Sequence, residues 1–150
     1  MDHLSLADRT WPLARRVMAG HVAVYRATDG LIGHRGPRFA PCLLLDHVGA
    51  KSGKLRTSPL IYGVDGKNLV LVASKGGYPT HPAWYHNLLA HPDTTVQVRS
   101  RRTAVRARVA TPEERERLWT LMVRVYRGYE TYRRRTEREI PLVVLEPRSQ

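Results

Sequence analysis

The sequence predicts an α+β protein: an antiparallel sheet or small barrel flanked by helices. Three observations carry this. Hairpin signals dominate the connections between apolar segments. No regular strand–helix–strand series appears, which argues against a doubly wound sheet. The chain has 150 residues, 42% of them hydrophobic, which suits one domain, residues 1–150, with a real core.

In chain order, residues 11–27 read as a helix. Thr10 can cap it, Pro12 suits its first turn, and Leu13, Val17 and Val24 give an apolar face. The Gly/Pro-rich "TDGLIGHRGPRFAP" then connects to strands. "CLLLDHVG" leads into the turn "AKSGK", and "LRTSPLIYGV" meets "NLVLVAS" across "DGK", a tight-hairpin signature. Pro82 to Leu89 reads as a short helix. "TTVQVRS" and "TAVRARVA" alternate apolar and polar residues, as half-buried strands of a second hairpin do. "TPEERERLWTLMVRVY" is the clearest helix: Thr111 caps, Pro112 takes the first position, Glu114 closes a capping box, and Leu118, Leu121, Met122 and Val125 form the core stripe. A helical stretch "ETYRRRTERE" precedes a last strand, "IPLVVLEP".

No run of about 18 apolar residues is present, so no membrane-spanning helix is expected. The first sixteen residues lack the apolar centre of a signal peptide. The single cysteine, Cys42, excludes a disulfide framework and reads as a small buried hydrophobe in a reducing, cytoplasmic setting. The net charge of +12 favours a polyanionic or multiply charged partner.

Position along the chain narrows that partner. "GAKSGK" has neither the spacing nor the following helix of a nucleotide phosphate loop. Its glycines, Ser52, Lys51, Lys54 and Arg56 can still bind an anion at a strand-to-strand turn. His81, His86 and His91 are spaced by five, which no single helix face gathers, so no metal is expected. Arg99, Arg101, Arg102, Arg106 and Arg108 gather on one hairpin, and Arg133–Arg135 form a run. With one phenylalanine in the chain there is no aromatic stacking surface beside them, so no nucleic-acid partner is expected. Trp11, Arg15 and Arg16 give the first helix a face able to touch a membrane surface, although packing on the sheet is its expected role.

"LLLDHVGAKSGKLRTSPLIY", "LVASKGGYPTHPAWYHNLLAHPDTTVQV" and "YRRRTEREIPLVVLEP" together resemble the deazaflavin-dependent nitroreductase family of actinobacteria, with the motifs in order from about residue 25 to 147. The resemblance implies a split β-barrel, a mostly antiparallel six-stranded barrel of the FMN-binding type. It also implies coenzyme F420, a deazaflavin with a phosphate and an acidic oligoglutamate tail, with FMN as the alternative cofactor. Lys51, Ser52, Gly53 and Arg56 match the segment that grips phosphate and tail, and Pro59 matches a residue near the ring system. Ser74, Lys75, Gly76 and Gly77 match the strand end and turn against the deazaflavin; Trp84 and Asn87 match short-helix residues beside the cofactor and substrate cavity. Tyr126, Tyr129 and Tyr132 match tyrosines on the substrate side, where Ser74 and Trp84 also contribute. Two positions depart from the pattern. Ala50 stands where many members carry a basic residue, a missing contact of about 1.5–3 kcal/mol if desolvated and less if exposed; His47 or Lys54 could substitute. Ile61 stands where some members have an aromatic.

The implied activity is hydride transfer from reduced deazaflavin to a quinone, an activated alkene or a nitroaromatic, with Tyr126 and Tyr129 as candidate proton donors. A cofactor carrier of the same fold and a basic nucleic-acid or membrane-surface protein are the alternatives. A monomer is expected rather than a homodimer, because the helices are expected to cover the pairing surface.

Overall fold

A computed structural model describes residues 3–35 and 40–149, with side chains from residue 13 onward. Residues 36–39 of the Gly/Pro-rich connection and the side chains of Thr10, Trp11 and Pro12 lie outside the described residues. The elements are α1 (His3–Ala27), β1 (Cys42–Val48), β2 (Leu55–Ile61), β3 (Gly63–Asp65), β4 (Asn68–Val72), α2 (Ala83–Ala90), β5 (Asp93–Val98), β6 (Arg101–Val109), α3 (Pro112–Val125), α4 (Gly128–Arg135) and β7 (Leu142–Pro147).

The strands form one antiparallel sheet in the order β2-β1-β5-β6-β7-β4-β3. Its two edge strands, β2 and β3, are separated in sequence by Tyr62 alone. One bent strand therefore pairs with β1 at its start and β4 at its end, and the sheet curls into a barrel of six strand paths. The curl brings the two edges together at this bend, while β2 and β3 each keep one unpaired side. This is the split-barrel α+β architecture.

Burial explains which strands alternate. Leu43, Leu45, Leu71, Ala73, Val143 and Leu145 fill the barrel interior with Trp84 and Leu88 of α2. Val70, Val72, Leu142 and Val144 point the other way, onto α3 and α4 through Leu118, Trp119, Met122 and Tyr129. With both faces covered, β4 and β7 read as unbroken apolar runs. On α3 the capping box forms as expected, with Glu114 accepting from the Thr111 N–H at 2.8 Å. Its fully buried stripe is Leu118, Trp119 and Met122, while Leu121 and Val125 are only half-buried.

The first helix departs from expectation. It begins at His3, so Thr10 and Pro12 lie inside it. Leu13, Val17 and Val24 are exposed, and the buried side is that of Tyr25, with Ala14, Met18, His21 and Val22 half-buried. At 100° per residue the two stripes lie roughly a quarter-turn apart, and both are apolar. Contact with the sheet selects between them: the Tyr25 hydroxyl accepts from the Arg99 N–H at 2.6 Å and lies 3.2 Å from the Cys42 carbonyl, while Arg26 reaches Asp46 and Thr57 at 3.0 Å. Among the described residues, no helix is long and apolar enough to cross a membrane.

Candidate functional site

Two turns carry the expected cofactor residues, and α2 joins them. The first, between β1 and β2, is closed by Gly49 N–H to Lys54 O and Gly53 N–H to Gly49 O, each 2.9 Å. The Ser52 hydroxyl accepts the Lys54 N–H at 3.2 Å, so it caps its own turn. Lys51, Lys54 and Arg56 project to solvent. Among the described residues none of the three has a carboxylate within ion-pair distance, whereas Arg26, Arg106, Arg108 and Arg117 are each paired with one.

A buried polar chain holds this turn from behind. Asn87 Oδ1 accepts the Ala50 N–H at 2.9 Å, Asn87 Nδ2 donates to His47 Nδ1 at 2.9 Å, and His47 Nε2 stands 2.9 Å from Ser58 Oγ. Because Nδ1 accepts, the ring proton sits on Nε2 and is given to Ser58. Burial, with the Arg56 charge added, pushes the His47 pKa down to about 4. His47 is therefore neutral and cannot replace the cation expected at position 50; Lys54 is exposed on the same turn. Asn87 ties α2 to the turn and spends one amide N–H and one Oδ1 lone pair in doing so.

The second turn follows β4. Ser74 is buried; Lys75, Gly76 and Gly77 are all left-handed, with φ of +46°, +62° and +81°. Gly77 N–H bonds to Ser74 O at 3.0 Å and Tyr78 N–H to Lys75 O at 3.1 Å. A Cβ on Gly77 would stand 2.8 Å from the Tyr132 carbonyl, so glycine lets α4 press onto the turn. A Cβ on Gly76 would meet nothing within 4 Å, which marks the open side of the turn. The lysine turn and the tyrosine-bearing α4 thus come together.

The remaining expected residues divide. Pro59 is half-buried in β2, opposite Leu44, on a strand that pairs on one side along its length and so tolerates a missing N–H. Trp84 is 7% exposed inside the barrel cluster, and so is core before it is cavity wall. Tyr126 does not share a helix with the other tyrosines: it ends α3 in extended backbone, while Tyr129 and Tyr132 lie on α4. The Tyr126 and Tyr132 hydroxyls are 3.1 Å apart and half-buried. Tyr129 is buried, 5.1 Å edge-on from the Tyr126 ring, and burial pushes its hydroxyl pKa well above the ordinary value. Such a group releases a proton poorly.

Arg138 stands beside the second turn, where local pattern did not mark it, and His47, expected only as a possible cation, is instead a neutral link behind the first turn. The Arg138 guanidinium contacts the carbonyls of Ala73, Ser74 and Tyr78 from behind the second turn. Its only sequence signal was its place in "YRRRTEREIPLVVLEP". The hairpin arginines considered for phosphate binding are partly spent: Arg106 pairs with Asp93, and Arg108 with Glu114 and Glu146. A surface depression of about 540 Å³ between β3 and α3, lined by Val64, Arg117, Leu121 and Arg124, shares no residue with either turn. Among the described residues no three His, Cys, Asp or Glu side chains gather as a metal site.

Residues 17–147 match the family model of the F420H(2)-dependent quinone reductases. An F420H(2)-dependent quinone reductase of Mycobacterium tuberculosis is 45% identical over 128 residues, covering 83% of this chain and 86% of the relative. A solved F420-H2 dependent reductase, FDR-A, is 41% identical with a TM-score of 0.66, over 71% of this chain and 94% of the other. A second solved structure, 35% identical with a TM-score of 0.68 over 93% and 98% of the two chains, is described as a domain-swapped dimer. That finding overturns the expectation of a monomer: covering a barrel with helices does not prevent pairing when segments can be exchanged between copies.

Proposed function

The chain belongs to the F420H(2)-dependent quinone reductase family, and from that premise we propose that its two turns hold the deazaflavin while the face of Tyr126 and Tyr132 receives the acceptor. It is an F420-dependent reductase of the quinone-reducing type. The carrying observation is the contrast in charge: among the described residues Lys51, Lys54 and Arg56 stand together with no carboxylate within ion-pair distance, whereas Arg26, Arg106 and Arg117 are paired. A phosphate with an acidic tail is the chemistry that such a donor set fits. The open side of Gly76 fits the close approach of a flat ring.

When bound, reduced F420 supplies the hydride. Lys51, Lys54 and Arg56 neutralise its anionic groups, and Lys75 adds charge at the second turn. The quinone also needs a proton. The Tyr126 and Tyr132 hydroxyls, 3.1 Å apart at the half-buried edge, are the groups placed to pass that proton to the acceptor carbonyl. Tyr129 supports this pair from beneath. The domain-swapped relative supports a dimer for this chain too, which light scattering would read as twice the 17.1 kDa of one chain.

Fluorescence titration with oxidised and reduced F420, with FMN as competitor, tests the site. Lys75→Ala should weaken F420 binding by about tenfold to hundredfold. Lys51→Ala with Arg56→Ala should weaken it less, and chiefly at low salt. FMN bound in place of F420 would move the protein to a flavin branch. Binding of neither would defeat the reading, and so would F420 binding with no turnover of a menadione-type quinone.

A further inference from the structure

We propose that Arg138 is a positioning residue that presets the Ser74–Gly77 backbone for the cofactor without touching it. Arg138 lies between α4 and β7, and its guanidinium faces the inner side of the second turn. Nε donates to Tyr78 O at 2.8 Å. Nη1 donates to His81 Nδ1 at 2.8 Å and to Ala73 O at 3.3 Å. Nη2 donates to Ser74 O at 2.7 Å and to Ala73 O at 3.3 Å. A guanidinium has five N–H donors, and these bonds use all of them. Nothing is left for a ligand, which separates Arg138 from Lys51 and Arg56.

The consequence for the turn follows from peptide geometry. In a planar trans peptide the C=O and N–H point in opposite directions. Drawing the Ala73 and Ser74 carbonyls onto one guanidinium turns the Ser74 and Lys75 N–H groups away from it. Successive backbone N–H groups so directed form the kind of concavity that binds anions and carbonyl oxygens. Lys75 is left-handed without being glycine, a conformation that persists only when the surroundings hold it. Among the described residues Arg138 has no carboxylate within ion-pair distance, so its charge is met only by carbonyl dipoles and by the His81 ring. Burial and the Arg138 charge keep His81 below its ordinary pKa, which preserves Nδ1 as an acceptor. A lysine would keep the charge but not the planar five-donor fork.

The inference rests on the cofactor assignment above, and the test separates the two. Amide hydrogen exchange at Ser74–Tyr78 would be measured in the wild type, Arg138→Lys and Arg138→Met, alongside F420 titration and thermal melting of each. Arg138→Lys should speed exchange in this segment at least tenfold and raise the Kd for F420 at least tenfold while the rest of the barrel keeps its protection. A role confined to stability would lower the Tm of both variants and leave the Kd of the folded protein within twofold. That result overturns the inference. Unchanged exchange at Ser74–Tyr78 in Arg138→Lys overturns it too, and that arm needs no cofactor. If the wild type fails to bind F420, the cofactor assignment falls, and exchange still decides whether Arg138 orders the turn. Should Arg138→Met not fold, Arg138→Lys and His81→Ala, which removes one acceptor, carry the comparison.

Discussion

The two turns at the candidate site are built on opposite plans. The Gly49–Lys54 turn is backed by neutral groups, Asn87 and an uncharged His47, and carries its positive charge in exposed side chains. The Ser74–Tyr78 turn is backed by the Arg138 cation, and its contribution lies in a run of left-handed backbone pressed against α4. Charge on flexible side chains is adjustable and screened by salt. Backbone geometry is neither. The first turn is therefore expected to tolerate change in small steps, and the second to fail steeply.

The sharpest way to break the second plan is Gly77→Ala. The added Cβ would sit 2.8 Å from the Tyr132 carbonyl, at a φ of +81°. Left-handed strain and overpacking together should cost roughly 2–4 kcal/mol. Denaturant melts should show this loss, with F420 affinity reduced in the protein that remains folded. A loss below about 0.5 kcal/mol, the range of neutral surface changes, would mean that α4 gives way easily and that the turn is not rigid.

The first plan is sharpened by pH. His47 has a folded pKa of about 4 against an ordinary 6.5, so between those values the unfolded chain binds the extra proton. Stability from this group is complete above pH 6.5 and lost as pH falls through 4. The full shift corresponds to about 3 kcal/mol, an upper figure. Unfolding measured at neutral pH and near pH 4.5 should show a shallower slope in His47→Asn than in the wild type. Equal slopes would show that the Asn87–His47–Ser58 chain accommodates the charge.

Much of the fold was legible because it is local. The β3–β4 hairpin follows from "DGK", and the start of α3 from Thr111, Pro112 and Glu114. What escaped was decided between distant residues. Two apolar stripes compete on α1, and only Tyr25 against Cys42 and Arg99 shows which one is buried. Asn87 reaches Ala50 across 37 residues and Arg138 reaches Ser74 across 64, distances over which no spacing rule operates. The residue types on the two turns could be matched to a family, but the groups that hold those turns from behind carry no local signature.

The smallest expected effect concerns the tyrosines at the end of α3 and on α4. Tyr126, Tyr129 and Tyr132 look equivalent in sequence, yet Tyr129 is 4% exposed and packs with Leu118, Met122 and Ile140, and burial holds its hydroxyl against ionisation. Tyr126 and Tyr132 share a hydrogen bond at the half-buried edge. If the acceptor takes its proton there, Tyr129→Phe should leave quinone turnover within about twofold, because the ring contacts with Tyr126 and Tyr132 remain, whereas Tyr126→Phe should reduce it by about tenfold or more. Single-turnover rates at saturating acceptor would separate the two. A large loss in Tyr129→Phe with normal F420 affinity and normal stability would make the buried hydroxyl the donor, and would require α4 to shift when the cofactor binds.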